Sequence, residues 1–138
     1  MLYFESELLR LRSALGYETE SSKRVVEVKR LMDHRFSEEH TLESLSRAAL
    51  VSQFHFARRF RELYGSSPIR YLTEVRLRHS ALMLKQGCSV LDACHGVGFG
   101  SPTTFSGLFK KKMGVTPSDY GRRGDKTKTG WKEPAILR

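Results

Sequence analysis

The sequence predicts an all-α protein in which two helix-turn-helix units are joined by a long central helix. Most apolar residues recur at spacings of three and four, which is typical of helices that bury one side, and few segments alternate as strands do. Hydroxyl-bearing residues stand before proline at three points, where each would cap a helix that starts with the proline: Ser67-Pro68, Ser101-Pro102 and Thr116-Pro117. The third observation is an internal repeat.

The repeat relates the segment that starts at Thr41 to the segment that starts at Ser89. Each copy is interpreted as a short helix, a tight turn and a longer helix that ends at glycine, so we predict helix-turn-helix units at about 41–64 and 89–113. Gly98, a residue type favoured in tight turns, stands at the turn of the second copy, whereas leucine (Leu50) stands at the turn of the first. The matched pairs include Leu42 with Val90, Leu45 with Ala93, Val51 with Phe99, Phe56 with Phe105, Phe60 with Phe109, Arg61 with Lys110, Gly65 with Gly114, Pro68 with Pro117 and Tyr71 with Tyr120.

Between the copies, residues 68–86 are predicted to form one long helix that ends at Gly87. At 1.5 Å per residue, this helix would be about 28 Å long. One turn of B-DNA is about 34 Å, so the helix is long enough to set two units in successive major grooves. Its apolar residues are Ile69, Leu72, Val75, Leu77, Ala81 and Leu84.

The charge of the chain suits a polyanionic partner. Lys and Arg number 24 against 15 Asp and Glu, which gives a formal net charge of +9. Residues 1–22 are slightly acidic, whereas residues 23–121 and 122–138 carry the basic excess. This balance favours nucleic acid, although an ordinary basic protein would share it. We expect 1–22 to be an N-terminal segment or linker, 23–121 to be the binding domain and 122–138 to be a flexible basic tail.

The N-terminal segment leaves three alternatives open. Phe4, Leu8, Leu11 and Leu15 form an apolar stripe. The stripe is compatible with a short helix that packs on the first unit, with a dimer contact, or with the end of a missing sensing domain. The chain is then either a stand-alone protein or a C-terminal fragment, and we expect it to be able to act as a monomer.

Helical projection assigns opposite roles to the two sides of the longer helix in the first copy. One side, toward the core, carries Phe56, Phe60, Leu63 and Tyr64, and the other carries Phe54, Ala57, Arg58 and Arg61. Contact with a thymine methyl group would explain why Phe54 lies opposite the core. In the same way, Arg58 would donate hydrogen bonds to O6 and N7 of guanine. Arg61 is better placed for a phosphate.

The longer helix of the second copy divides in the same way. Phe105, Leu108 and Phe109 face the core. The outward side is predicted to carry hydroxyl-bearing and small residues for close approach to base edges, and lysines for phosphates. These outward residues are Thr103, Ser106, Gly107, Lys110 and, at the flank, Lys111.

With these motifs, the chain resembles the DNA-binding domain of the arabinose-operon (AraC/XylS) family of bacterial regulators. The matching stretches are LxxLS, VSxxHFxRxF, YGSSPxxYL, VRLRHSALML and VGFxSxxTFSxLFKKKMGVTPSDY, which together cover about Val25 to Tyr120. The resemblance implies seven helices in two helix-turn-helix subdomains, sequence-specific binding to promoter DNA in order to activate or repress transcription, and contact with RNA polymerase. We expect an activator.

The resemblance also assigns the recognition helices to Val51–Tyr64 and Pro102–Met113. Gly107 stands where the family usually has arginine, so we expect the first unit to dominate specificity. The candidate base-reading residues are Gln53, Phe54, Ala57, Arg58, Ser101, Thr103, Thr104 and Ser106, and the candidate phosphate contacts are Arg61, Lys110 and Lys111.

Other functional classes find little support in the sequence. Cys88 and Cys94 do not form a metal-binding pair, the five histidines lack metal-ligand spacing, and no catalytic constellation can be named. We therefore expect no enzyme activity, cofactor or metal. No apolar run is long enough to span a membrane, so we expect a cytoplasmic location. The alternative function is a protein-interaction module or truncated regulator whose main partner is RNA polymerase or another protein.

Overall fold

The computed structural model describes the backbone of residues 2–123 and the side chains of residues 7, 10, 11 and 20–123. Within this range the chain forms seven helices and no strand, which confirms the all-α prediction there. Most of the predicted basic tail, and the side chains of Phe4, Leu8 and Leu15, lie outside the described residues. The helices are α1 (Leu2–His34), α2 (Leu42–Ala48), α3 (Gln53–Tyr64), α4 (Pro68–Lys85), α5 (Val90–Gly96), α6 (Pro102–Met113) and α7 (Pro117–Arg123).

The first helix is longer than its sequence pattern indicates. It continues without a break through position 22, where the sequence suggested a boundary between a linker and the domain. The domain bounds themselves stay a prediction. Leu11, the described member of the N-terminal apolar stripe, is exposed.

The chain divides into two compact units. The first unit consists of the residues up to Met32 together with His40–Ile69, and the second consists of Asp33–Glu39 together with the residues from Arg70 onward. The first unit therefore contains α2 and α3, and the second contains α5, α6 and α7. Each holds its own buried apolar side chains, as expected for two subdomains.

The core of the first unit is built from α1, α2 and α3. Phe56 and Phe60 are completely buried, and their ring centroids lie 5.8 Å apart. Because these residues recur at a spacing of four, burying them removes one side of α3 from water. The other buried apolar side chains among the described residues of this unit are Val25, Val28, Met32, Leu45, Ala49 and Pro68.

The core of the second unit repeats this arrangement. Phe105 and Phe109 are completely buried, with ring centroids 5.7 Å apart, and Tyr120 meets Phe109 edge-on at 5.3 Å. The remaining members of the cluster come from α4, α5 and α6: Leu77, Ala81, Leu84, Ala93, Cys94 and Met113.

Hydroxyl caps define where the helices begin. Ser101 Oγ accepts a hydrogen bond from the backbone N–H of Thr104, and Thr116 Oγ1 accepts one from that of Asp119, as the hydroxyl-proline pattern predicts. Ser52 caps α3 by accepting from the N–H of His55. Helix α3 therefore begins at Gln53, and the start at Val51 that was predicted for the first recognition helix is wrong because Ser52 has extended backbone geometry.

Two apolar residues are exposed, and one of them had been predicted to face the core. Leu63 was predicted to face the core but is 41% exposed. It lies in the last turn of α3, where the ring of Tyr64 packs against Phe60 at 4.8 Å instead. Ile69, at the start of α4, is also exposed, whereas Leu72 and Val75 of the same apolar set are buried.

The two tight turns each contain a residue with positive φ, which is leucine in the first and glycine in the second. Leu50 has φ of 59° and Gly98 has φ of 101°, in the region that favours glycine. A Cβ at Gly98 would lie 2.7 Å from the backbone oxygen of Ser37, so the second turn has no room for a side chain. The Leu50 side chain is 77% exposed, so the first turn accepts leucine at the cost of backbone strain.

Candidate nucleic-acid interface

The outer side of α3 carries an exposed aromatic beside two arginines. Phe54 is 75% exposed, and the guanidinium carbon of Arg58 lies 5.7 Å from the centroid of its ring. Together with Ala57, Arg61 and Ser67 they line a shallow depression of about 300 Å³. Exposing a phenylalanine this fully has a cost in water, and the arginine over its ring gives the pair a cationic, apolar surface that suits DNA.

Two polar contacts from α1 hold the first helix-turn-helix, one at α3 and one at the end of α2. His55 Nε2 and Ser21 Oγ lie 2.6 Å apart, and Ser21 is completely buried. Arg24 Nε donates a hydrogen bond to the backbone oxygen of Ala49, at the end of α2, with a length of 3.0 Å. These bonds fix the helix-turn-helix against α1, so the orientation of the outer side of α3 depends on residues that precede the motif.

Sequence reasoning did not identify Ser21 or Arg24. The backbone N–H of His55 donates a hydrogen bond to Ser52 Oγ, while its ring contacts Ser21. The His55 side chain therefore packs against α1. The partners of Ser21 and Arg24 lie 34 and 25 residues away, and no local pattern reports such a separation.

The start of α3 is flanked by a second depression that sequence reasoning missed. It has a volume of about 560 Å³ and includes polar donors beside the exposed turn. Neither α3 nor α6 has an acidic residue in its first turn, so the positive end of each helix dipole is not neutralised locally. The depression is lined by Arg47, Leu50, Val51, Ser52 and His55.

The outer side of α6 is polar at its start and cationic at its end. Ser101, Thr103 and Thr104 are exposed, and Ser106 is half-buried. A side chain added at Gly107 would meet open space. The last turn carries Lys110, Lys111 and Lys112 in succession. This surface provides small hydroxyl groups where a helix could approach base edges and positive charge where it could approach phosphates.

All eleven candidate contact residues are therefore solvent-accessible on α3, α6 or the cap of α6. Ala57 and Ser106 are half-buried, and the others are exposed. Their contact with DNA stays a prediction. The residues of each helix lie together on one side of that helix, as their spacing predicts.

Cys94 lies in the core rather than at a reactive site. It is completely buried, its Sγ donates to the backbone oxygen of Phe99 at 3.6 Å, and burial raises the pKa of its thiol. Among the described residues, no group of His, Cys, Asp and Glu side chains could hold a metal ion. Over the same part of the chain, no helix combines the length and apolar character that crossing a bilayer requires.

Comparison with known proteins gives a consistent family. A family model described as a helix-turn-helix domain matches residues 45–123, more than half of the chain. A putative AraC-like transcription regulator of Streptomyces antibioticus is 40% identical over 81 residues, which are 58% of this chain and 27% of that protein. The RCS-specific HTH-type transcriptional activator RclR of Escherichia coli (strain K12) is 34% identical over 84 residues, which are 60% of this chain and 30% of that protein.

The chain thus spans less than a third of the length of these two relatives. A solved structure gives a fuller match. The DNA-binding domain of AdpA, a global transcriptional factor crystallised in complex with a target DNA, is similar with a TM-score of 0.69 and 30% identity. The similarity covers 71% of this chain and 89% of that one.

Proposed function

The chain belongs to the AraC-type family of helix-turn-helix DNA-binding domains, and from this premise we propose that it binds specific sequences of double-stranded DNA and so regulates transcription. The observation that carries the proposal is the exposed pair of Phe54 and Arg58 on the outer side of α3. The opposite side of this helix is held in the core by Phe56 and Phe60. The helix thus has one side free to enter a groove.

Base reading by α3 follows from the chemistry of its outer side. The Arg58 guanidinium can donate two parallel hydrogen bonds to O6 and N7 of guanine, and the Phe54 ring can contact a thymine methyl group. Arg58 Nε lies 3.9 Å from Glu62 Oε1, and both side chains are about half exposed. Such a pair is weak in water, so DNA can displace Glu62 at little cost. Gln53 and Ala57 complete the surface nearest the base edges.

The second unit contributes a weaker reader in this proposal. Thr103, Thr104 and Ser106 present hydroxyl groups on α6, while Lys110 and Lys111 hold phosphates, as Arg61 does on α3. Hydroxyl groups discriminate bases less than a bidentate arginine does, so α3 sets most of the specificity. We propose that the two readers enter successive major grooves.

The similar proteins support DNA as the partner. The AdpA domain, 30% identical, was crystallised with its target DNA, and RclR is named as an activator. We propose on this basis that the present chain activates transcription in the cytoplasm and contacts RNA polymerase. This function requires neither catalysis nor a cofactor nor a metal.

Selection of bound duplexes from a random library tests the proposal. We expect a consensus sequence that is bound at least about a thousandfold more tightly than random duplex, and affinity for both that falls steeply between about 50 and 200 mM salt. Enrichment of no sequence would contradict specific binding. Duplex affinity that is insensitive to salt would favour the alternative, a protein-interaction module.

A further inference from the structure

Glu74 lies at the centre of a basic cluster in the second unit. Its Oε1 is 3.7 Å from Nζ of Lys112 on α6 and 4.0 Å from Nε of Arg70 on α4. Its Oε2 is 3.9 Å from Nη2 of Arg78, also on α4. One carboxylate therefore lies within 4.0 Å of three cations, two of them one turn away on α4 and the third on α6.

The environment of Glu74 strengthens these interactions. Its side chain is only 27% exposed, and those of Arg78 and Lys112 are 14% and 31% exposed. Water and salt screen such charges less than they screen exposed pairs. The pairing of Lys112 also differs from an i,i+4 pair, because it ties the last turn of α6 to α4.

The cluster continues into the proposed DNA-contacting surface. A groove of about 350 Å³ joins Glu74 to Lys111, one of the candidate phosphate contacts, over an apolar floor of Leu77 and Leu108. Arg70, Thr73 and Lys112 line the same groove. A cation freed from Glu74 would thus belong to the same basic surface as Lys111.

We propose that Glu74 withholds Lys112 from DNA phosphates and so limits the affinity of this surface for duplex DNA of any sequence. Each phosphate that a protein neutralises adds affinity that is independent of sequence. By pairing with Lys112 internally, Glu74 lowers attraction to any duplex while leaving the base-reading residues unchanged. The inference rests on the proposed function, because it concerns how tightly the same surface holds DNA of any sequence.

Replacement of Glu74 by glutamine tests the proposal. For E74Q, we expect random duplex to be bound several-fold more tightly and the slope of log K against log salt to steepen by about one, because Lys112 becomes available to a phosphate. Affinity for the selected sequence should rise by a similar factor, because the added phosphate contact does not depend on sequence. Glu38→Gln is the matched control, because it removes the same charge from an exposed pair with Arg35 in the same unit and should leave the salt slope unchanged.

Lys112 provides two independent checks. In the double variant E74Q/K112Q, the salt slope should return toward that of the unmodified chain. In the single variant K112Q, the slope should stay unchanged, because Glu74 already holds Lys112 away from phosphates. Lys110→Gln, by comparison, should reduce the slope by about one.

Three results would overturn the inference. The first is an equal salt slope for E74Q and E38Q, and the second is a loss of slope in K112Q as large as that in K110Q. The third is a lower melting temperature of E74Q with equal weakening on both duplexes, since that assigns Glu74 a purely structural role. A chain whose unmodified form has no salt-dependent duplex binding would instead contradict the proposed function.

Discussion

Arg76 on α4 donates a hydrogen bond from Nε to the backbone oxygen of Phe36, with a length of 2.7 Å. Its Nη2 donates a second to the backbone oxygen of Glu38 at 2.8 Å, and its guanidinium carbon lies 5.9 Å from the ring of Phe99. Burial lowers the pKa of Arg76 without discharging it. One cation thus satisfies two carbonyl groups of the segment between α1 and α2 and also packs beside the turn at Gly98.

We expect Arg76→Gln to lower the free energy of unfolding by about 2–3 kcal/mol, because two charge-assisted hydrogen bonds are lost and two carbonyl groups lose their donors. Urea denaturation followed by circular dichroism measures this change. Arg35→Gln is the control, since its exposed ion pair should contribute little. An equal effect of both substitutions would contradict the structural role of Arg76.

Leu50→Asn should stabilise the protein by about 0.5–1 kcal/mol. Leucine is strained at φ of 59°, whereas asparagine tolerates this region, and a side chain this exposed loses few contacts. Thermal denaturation at fixed pH provides the measurement. Loss of stability would mean that the leucine makes contacts that offset its backbone strain.

Gly98→Ala should instead lower the free energy of unfolding, by about 2 kcal/mol or more. The added Cβ would meet Ser37 O at 2.7 Å and Arg76 Nε at 3.1 Å, in a backbone conformation that alanine rarely adopts. Gly107→Ala is the matched control, because its added Cβ meets open space within a helix. Urea titration of both variants should show destabilisation of the first only.

Arg58→Ala should weaken binding to the selected DNA sequence by about 1–3 kcal/mol and relax the preference at one base pair. Lys110→Ala should weaken binding to all sequences alike and reduce the salt slope by about one. Titration of each variant with selected and random duplexes separates the two effects. Unchanged affinity and unchanged base preference in Arg58→Ala would contradict the proposal that α3 reads the bases.

The two cysteines should react with a thiol reagent at different rates. Cys94 is completely buried and its thiol pKa is raised by that burial, so little thiolate is accessible to attack, whereas Cys88 is half-buried. Peptide mass mapping after brief alkylation at neutral pH should find Cys88 labelled well before Cys94. Equal labelling would mean that the second core opens readily. In the variant Cys88→Ser, the slower reaction of Cys94 with the reagent can be measured alone.

The features that the sequence predicted are those set by local patterns. The spacing of Phe56 and Phe60 identified the buried side of α3, and the hydroxyl-proline pair at Ser101 identified the start of α6, since a cap acts within three residues. The same projection failed at Leu63, because it assumes that the whole length of a helix is covered. Exposure of Phe54 also followed from periodicity.

The features that the sequence did not predict depend on residues far apart in the chain. Arg76 meets Phe36 across 40 positions, and Lys112 meets Glu74 between two helices. A charged residue on a helix has the same local pattern whether it faces water or another segment. Only the three-dimensional structure therefore identifies these contacts.

Support of α3 by α1 has a consequence for how the protein can be shortened. The family match begins at position 45, yet Val25, Val28 and Met32 are buried and Ser21 and Arg24 bond to the motif from outside that match. A fragment cut at the edge of the family match would leave an apolar surface open to solvent and would remove the α1 contacts with α3 and with the end of α2. We therefore expect the smallest fragment that folds to include part of α1 as well as the segment that is recognisable by similarity.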